Sequence, residues 1–305
     1  MSFFKKRETV TQNIAYLALM AAINVIFVLL TAIFQPLMFI MIFVLPLTST
    51  VVTLFCKKRY FPIYFIVTIS LCLLVTSWAS IFDTFFYVMP SLISGFIFGL
   101  LIEKDVPSIY ILSASVVVQY VITYLTFIIL NNIVIGINFI DALLVMFGLG
   151  EFIFKDYFIH VFLFLLAMIQ TIITYVVITS EIGKLGFNIN LTMRYEFLMI
   201  IVNLVLEILA LIMIFVYGPL TYIFMFIDLM FVIYQFISLL MSNKKINIIL
   251  SIVFVFSGFI FYIAFNQQIP HPLEFAVFLV SFTLISSLYF ANYLFIKKTK
   301  STKIE

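Results

Sequence analysis

The stretch EIGKLGFNINLTMRY, Glu181–Tyr195, decides how this chain is divided. It is the longest polar interval between two long apolar runs. It carries Lys184, Arg194 and a helix-stopping Gly186. Upstream, the apolar runs suffice for about six helices, and downstream for about four, at roughly 20 apolar residues per membrane span. The reading is a hinge between two membrane halves: 1–180, a joint at 181–195, and 196–305 with a basic tail.

Composition leaves little room for another solvent. Hydrophobic residues make up 66% and charged residues 10% of the 305 positions, and the mean hydropathy is +1.31. A water-soluble domain carries about 45–50% apolar and about 25% charged residues. The expected fold class is therefore all-α: a polytopic membrane bundle of about ten transmembrane helices (8–10). Spans are expected near 12–34, 37–55, 62–79, 81–102, 109–131, 158–180, 197–217, 219–241, 246–266 and 274–296. Asn13 to Phe34 is too long for a signal-peptide core and reads as a retained span.

The net charge of +3 sits in short clusters beside apolar runs, which is not a nucleic-acid footprint. With ten spans and a cytoplasmic N-terminus, all of the 16 Lys and Arg residues except Lys155 fall on the inner side, as topology rules require. Both termini are then cytoplasmic. Segment 131–157 does not cross in this reading but lies at the outer face, because a crossing would export every later basic cluster. Cys56 and Cys72 lie at different depths and are not expected to pair, and no Cys/His spacing suggests a metal. The GxxxxGK[ST], HExxH and GxSxG patterns are absent, so neither enzyme activity nor a cofactor is expected.

Ionisable residues inside spans are costly and point to function. Glu207 lies eleven residues before the Gly218-Pro219 turn and Asp228 ten after Gly218. At 1.5 Å per residue, both carboxyls reach about 15–17 Å from the turn. Asn203 is one turn from Glu207, and Gln235 two turns from Asp228. Neither span contains Lys or Arg. Two such carboxyls cannot both ionise cheaply, so the pair holds protons or a cation. The plainer alternative is two neutral acids hydrogen-bonding to Asn203, Gln235 or Tyr234. In the first half, Asn24, Gln119, Tyr120, His160 and Gln170 are the polar candidates. Ser91, Gly95 and Gly99 form a flat strip suited to close helix packing, as do Ala18 and Ala22 on the first helix. Pro46 and Pro90 are expected to interrupt the second and fourth helices.

The small-residue first helix ALMAA (Ala18–Ala22), the stretch MPSLISGFIFGLLIEK (Met89–Lys104), the joint SEIGKLGFNIN (Ser180–Asn190) and LLMSNKK (Leu239–Lys245) together resemble the YybS-like bacterial membrane proteins, a family of unknown function. The N-terminal six helices are similar to the substrate-capture subunits (S components) of energy-coupling factor transporters. The resemblance implies a bacterial cytoplasmic-membrane protein that captures a small solute. It implies docking through Ala18 and Ala22 on a transmembrane coupling subunit with ATPases, and a solute site near Gln35, Asp83 and Gln119. The alternatives are a self-contained proton- or cation-coupled permease using Glu207 and Asp228, or a membrane scaffold or regulator.

Overall fold

A computed structural model describes residues 6–34, 37–75, 84–130, 155–184, 197–241, 245–265 and 276–301. Among the described residues there are ten α-helices and no strand. In chain order they are α1 (Val10–Ile33), α2 (Met38–Phe55), α3 (Phe61–Val75), α4 (Met89–Glu103), α5 (Ser108–Leu130), α6 (Lys155–Lys184), α7 (Phe197–Val216), α8 (Gly218–Leu240), α9 (Lys245–Phe265) and α10 (Ala276–Ser301). Seven of these are long and apolar enough to cross a membrane, and α2, α4 and α9 carry shorter apolar stretches. The chain is thus an all-helical membrane protein.

The exposure pattern argues for lipid more directly than length does. On α7 the buried residues are Met199, Asn203, Glu207 and Ala210. The exposed ones include Leu198, Ile201, Leu204, Val205, Ile208 and Leu211. The polar side chains point inward and the apolar ones outward, the reverse of a water-soluble helix. Only a hydrocarbon solvent makes that arrangement favourable.

The chain forms two compact units: residues 1–155 with 162–191, and residues 156–161 with 192–305. The joint read at 181–195 lies mostly outside the described residues, as do the turns at Gln35-Pro36 and Ser80 and nearly all of segment 131–157.

In the first unit α2 and α4 make the most extensive contact. The Ser91/Gly95/Gly99 strip supplies one side, and its partners are Ser49, Thr50 and Thr53. A Cβ on Gly95 would strike the Pro46 carbonyl oxygen and lie 2.7 Å from Ser49 Cβ; one on Gly99 would lie 2.6 Å from Thr53 Cβ. The close approach lets hydroxyls reach across: Ser49 Oγ donates to the Leu92 carbonyl, and Thr50 Oγ1 donates to the Pro46 and Gly95 carbonyls at 2.8 and 2.9 Å. Pro46 sits inside α2 as expected. Pro90 lies in the first turn of α4, directly after a π-helical turn at Thr84–Val88, so the helical run changes its winding at the proline.

The candidate Asn24 has a structural task. Its Nδ2 donates to Tyr64 Oη at 2.6 Å, Tyr64 Oη to Thr48 Oγ1 at 3.3 Å, and Thr48 Oγ1 to Asn24 Oδ1 at 2.7 Å. This closed ring ties α1, α2 and α3 at buried positions. Replacing Asn24 by Leu removes two of the ring's three hydrogen bonds, leaving Thr48 its bond to the Leu45 carbonyl, and thermal unfolding in detergent should show a loss of about 1–3 kcal/mol. An unchanged melting temperature would show the ring to be dispensable.

At one end of this unit Glu103 accepts from Lys6 at 3.2 Å and Lys58 at 2.6 Å. The Arg7 guanidinium stands 4.5 Å over the Tyr16 ring, and the Lys57 amide donates to Asn13 Oδ1 at 2.8 Å. The N-terminal segment, the α2–α3 turn and the end of α4 therefore share one face.

Candidate functional site

The second unit concentrates buried polar groups on three mutually packed helices, α7, α8 and α10. They form two rungs. In the first, Thr283 Oγ1 of α10 contacts Glu207 Oε2 of α7 at 3.0 Å, and Asp228 of α8 lies within electrostatic range of Glu207. In the second, Asn203 Nδ2 donates to Ser286 Oγ at 3.0 Å, and Ser286 Oγ donates to Gln235 Oε1 at 2.9 Å.

The spacing follows from the helices. Glu207 and Asp228 lie eleven and ten residues from Gly218 at the α7–α8 turn, and Asn203 and Gln235 lie further along the same two helices. Thr283 and Ser286 are three residues apart, which places both on one face of α10.

The hydrogen bonds leave much unmet. Glu207 Oε1, both carboxyl oxygens of Asp228, Asn203 Oδ1 and Gln235 Nε2 are buried without a hydrogen-bond partner. Asp228, Asn203 and Gln235 are fully buried. A buried polar atom left unpaired costs about 1–3 kcal/mol, so five in one cluster call for an explanation other than packing. No Lys, Arg or His occurs in 197–241 or 276–296, so no cationic side chain within these stretches balances a carboxylate. The neighbouring space is apolar. A cavity of about 630 Å³ opens between α8, α9 and α10, lined by residues such as Met225, Val232, Phe259 and Phe282. Met225 and Val232 lie three and four positions from Asp228 on α8, and Asp228 itself is not among the lining residues.

Of the sequence candidates, the structure brings Asn203, Glu207, Asp228 and Gln235 into this cluster. Thr283 and Ser286 escaped the reading. The only signal for them was the run of hydroxyl residues in SFTLISS, Ser281–Ser287, and such residues are ordinary in membrane helices. Gln35 and Asp83 lie outside the described residues. Gln119 lies in the first unit, on α5, and is 1% exposed; its Nε2 has no partner. Ser115 and Thr123, one turn to either side of it, are also buried with unpartnered hydroxyls. Gln170 of α6 donates to Ser91 at 3.3 Å. His160 is buried, with Nε2 3.0 Å from Tyr217 Oη. Ala18 and Ala22 are exposed on α1. Cys56 and Cys72 are both buried, and no disulfide joins them.

No protein family, curated protein or solved structure matches this chain.

Proposed function

We propose that this chain is a proton- or cation-coupled membrane transport protein of the cytoplasmic membrane, with Glu207 and Asp228 as the coupling groups and a small solute as cargo. The observation that carries this reading is the set of unpartnered, buried carboxyl oxygens on helices whose stretches 197–241 and 276–296 hold no cationic side chain. Neutral acids serving only as hydrogen-bond donors would be expected to have acceptors, and Asp228 has none. The stripe Ser115, Gln119 and Thr123 supplies uncharged polar groups for a solute with its own donors and acceptors.

Solute-stimulated acidification of proteoliposomes carrying the full chain tests the reading. Under an inward proton gradient at least one small solute should accelerate internal acidification, and Asp228→Asn should remove the effect. Equal acidification by the variant would overturn it.

A second reading has an observation of its own. Ala18 and Ala22 lie exposed on α1 beside Leu19 and Ile26, an open strip of the kind suited to a partner helix. Capture of a solute in the manner of an S component, docked there on a coupling subunit with ATPases, predicts that these proteins co-purify in mild detergent. Purification of the chain with its solute but no ATPase favours the self-contained permease.

In the proposed topology all ten helices cross and both termini face the cytoplasm. Support comes from the shared face of Lys6, Lys58 and Glu103. Because Cys56 and Cys72 are buried, Lys184→Cys offers a clean label. It should react with an impermeant maleimide only after the cells are opened. Labelling of intact cells would reverse the assignment.

A further inference from the structure

We propose that the second unit holds a site for one dehydrated alkali cation of sodium size, coordinated by Asn203, Glu207 and Asp228. The proposal deepens the coupled-transport reading by naming the ion, and it rests on that reading only for what the ion drives.

Four oxygens are free to coordinate: Asn203 Oδ1, Glu207 Oε1, and Oδ1 and Oδ2 of Asp228. Their neighbours hold them in place. Thr283 engages the other oxygen of Glu207, which leaves Oε1 open. Ser286 takes the amide hydrogen of Asn203, which leaves its carbonyl open. Asn203 is one turn from Glu207 on the buried face of α7, so a fully buried neutral carbonyl lies on the same helix face as one of the acids. That carbonyl adds a neutral oxygen to the acidic pair, and it carries no hydrogen bond from either acid, so it is open to a cation.

The donor set selects the ion. All four atoms are hard oxygens, which excludes soft metals. Calcium takes six to eight oxygens and magnesium retains several waters, more than four protein oxygens in an apolar setting provide. Charge gives the same answer. The ionisable groups on the three packed helices, and on α9 which packs against two of them, are Glu207, Asp228, tyrosines 222, 234, 262, 289 and 293, and lysines 245, 297, 298 and 300. A neutral core then has two states: both carboxyls protonated, or one protonated and one ionised beside a single monovalent cation. Passing from the first to the second breaks one carboxyl O–H bond. That proton leaves to water as the cation's oxygen contacts form, so charge is conserved.

The test is equilibrium binding of radioactive sodium to the full chain in detergent between pH 6 and pH 9. We expect saturable binding of one ion per chain. Its affinity should rise about tenfold per pH unit where one proton is exchanged. Asp228→Asn, Glu207→Gln and Asn203→Leu should each weaken it at least tenfold, while Gly183→Ala should leave it unchanged. Absence of saturable binding, binding indifferent to pH, or displacement by micromolar calcium in place of millimolar sodium would overturn the proposal. The wild-type pH and competition data decide even where a variant fails to fold. Sodium binding without solute-linked ion flux would keep the site and reject coupled transport. Proton flux without sodium binding would do the reverse.

Discussion

Gly95→Leu and Gly99→Leu should each eliminate monodisperse protein from mild detergent. Gly95→Ala alone should lower stability by about 3 kcal/mol. The α2–α4 contact permits this because each glycine faces the partner helix with no space for a Cβ. At Gly95 the added carbon meets the Pro46 carbonyl oxygen and at Gly99 it meets Thr53. A backbone carbonyl cannot rotate away as a long side chain can, so relief at Gly95 requires the helices to separate. Separation would break the Ser49 and Thr50 hydroxyl bonds to α4 carbonyls. Without water in the hydrocarbon core, the hydroxyls gain nothing in exchange. Gly183 supplies the internal control, since nothing lies within 4 Å of its added Cβ. Gly183→Ala should be neutral or stabilising by up to about 1 kcal/mol. Size-exclusion profiles and thermal unfolding check all four variants. A well-folded Gly95→Leu would disprove the packing described.

Replacing Asp228 should separate stability from function. Both of its carboxyl oxygens are buried and unpartnered. Asp228→Val therefore removes a group that costs free energy in the folded protein, and the melting temperature should hold or rise, by an amount equivalent to roughly 1–3 kcal/mol. Activity linked to protons or cations should vanish in the same protein. Were Asp228 a structural hydrogen-bonding residue, the variant would be less stable. Asp228→Asn keeps the shape and loses the charge, so it should also abolish coupling. Thermal unfolding of the two variants beside wild type separates the two accounts. A fall in stability for Asp228→Val would make Asp228 a packing residue.

Much of this was legible in the sequence, for stated reasons. Apolar runs of span length fix where the helices lie, since no water-soluble arrangement could hide them. Glu207 and Asp228 stood out because carboxyls are rare among residues such as Ile and Leu, and their similar distances from Gly218 gave their depth. What a linear pattern cannot supply is azimuth and partner choice. Thr283 and Ser286 look like any membrane hydroxyls until α10 is seen beside α7 and α8. Ser49, Thr50 and Thr53 are likewise visible as partners of the glycine strip only once α2 and α4 meet. Asn24 read as a candidate site residue because polarity alone does not distinguish a closed hydrogen-bond ring from an open one.

The most direct measurement is charge movement in proteoliposomes of the full chain adsorbed on a solid-supported membrane and exposed to rapid jumps in pH and sodium. The account predicts a transient current in wild type, carried by ions entering or leaving the Glu207/Asp228 cluster, and its loss in Asp228→Asn at equal protein incorporation. Equal currents in both, or no current from well-folded wild type under any jump, would contradict it.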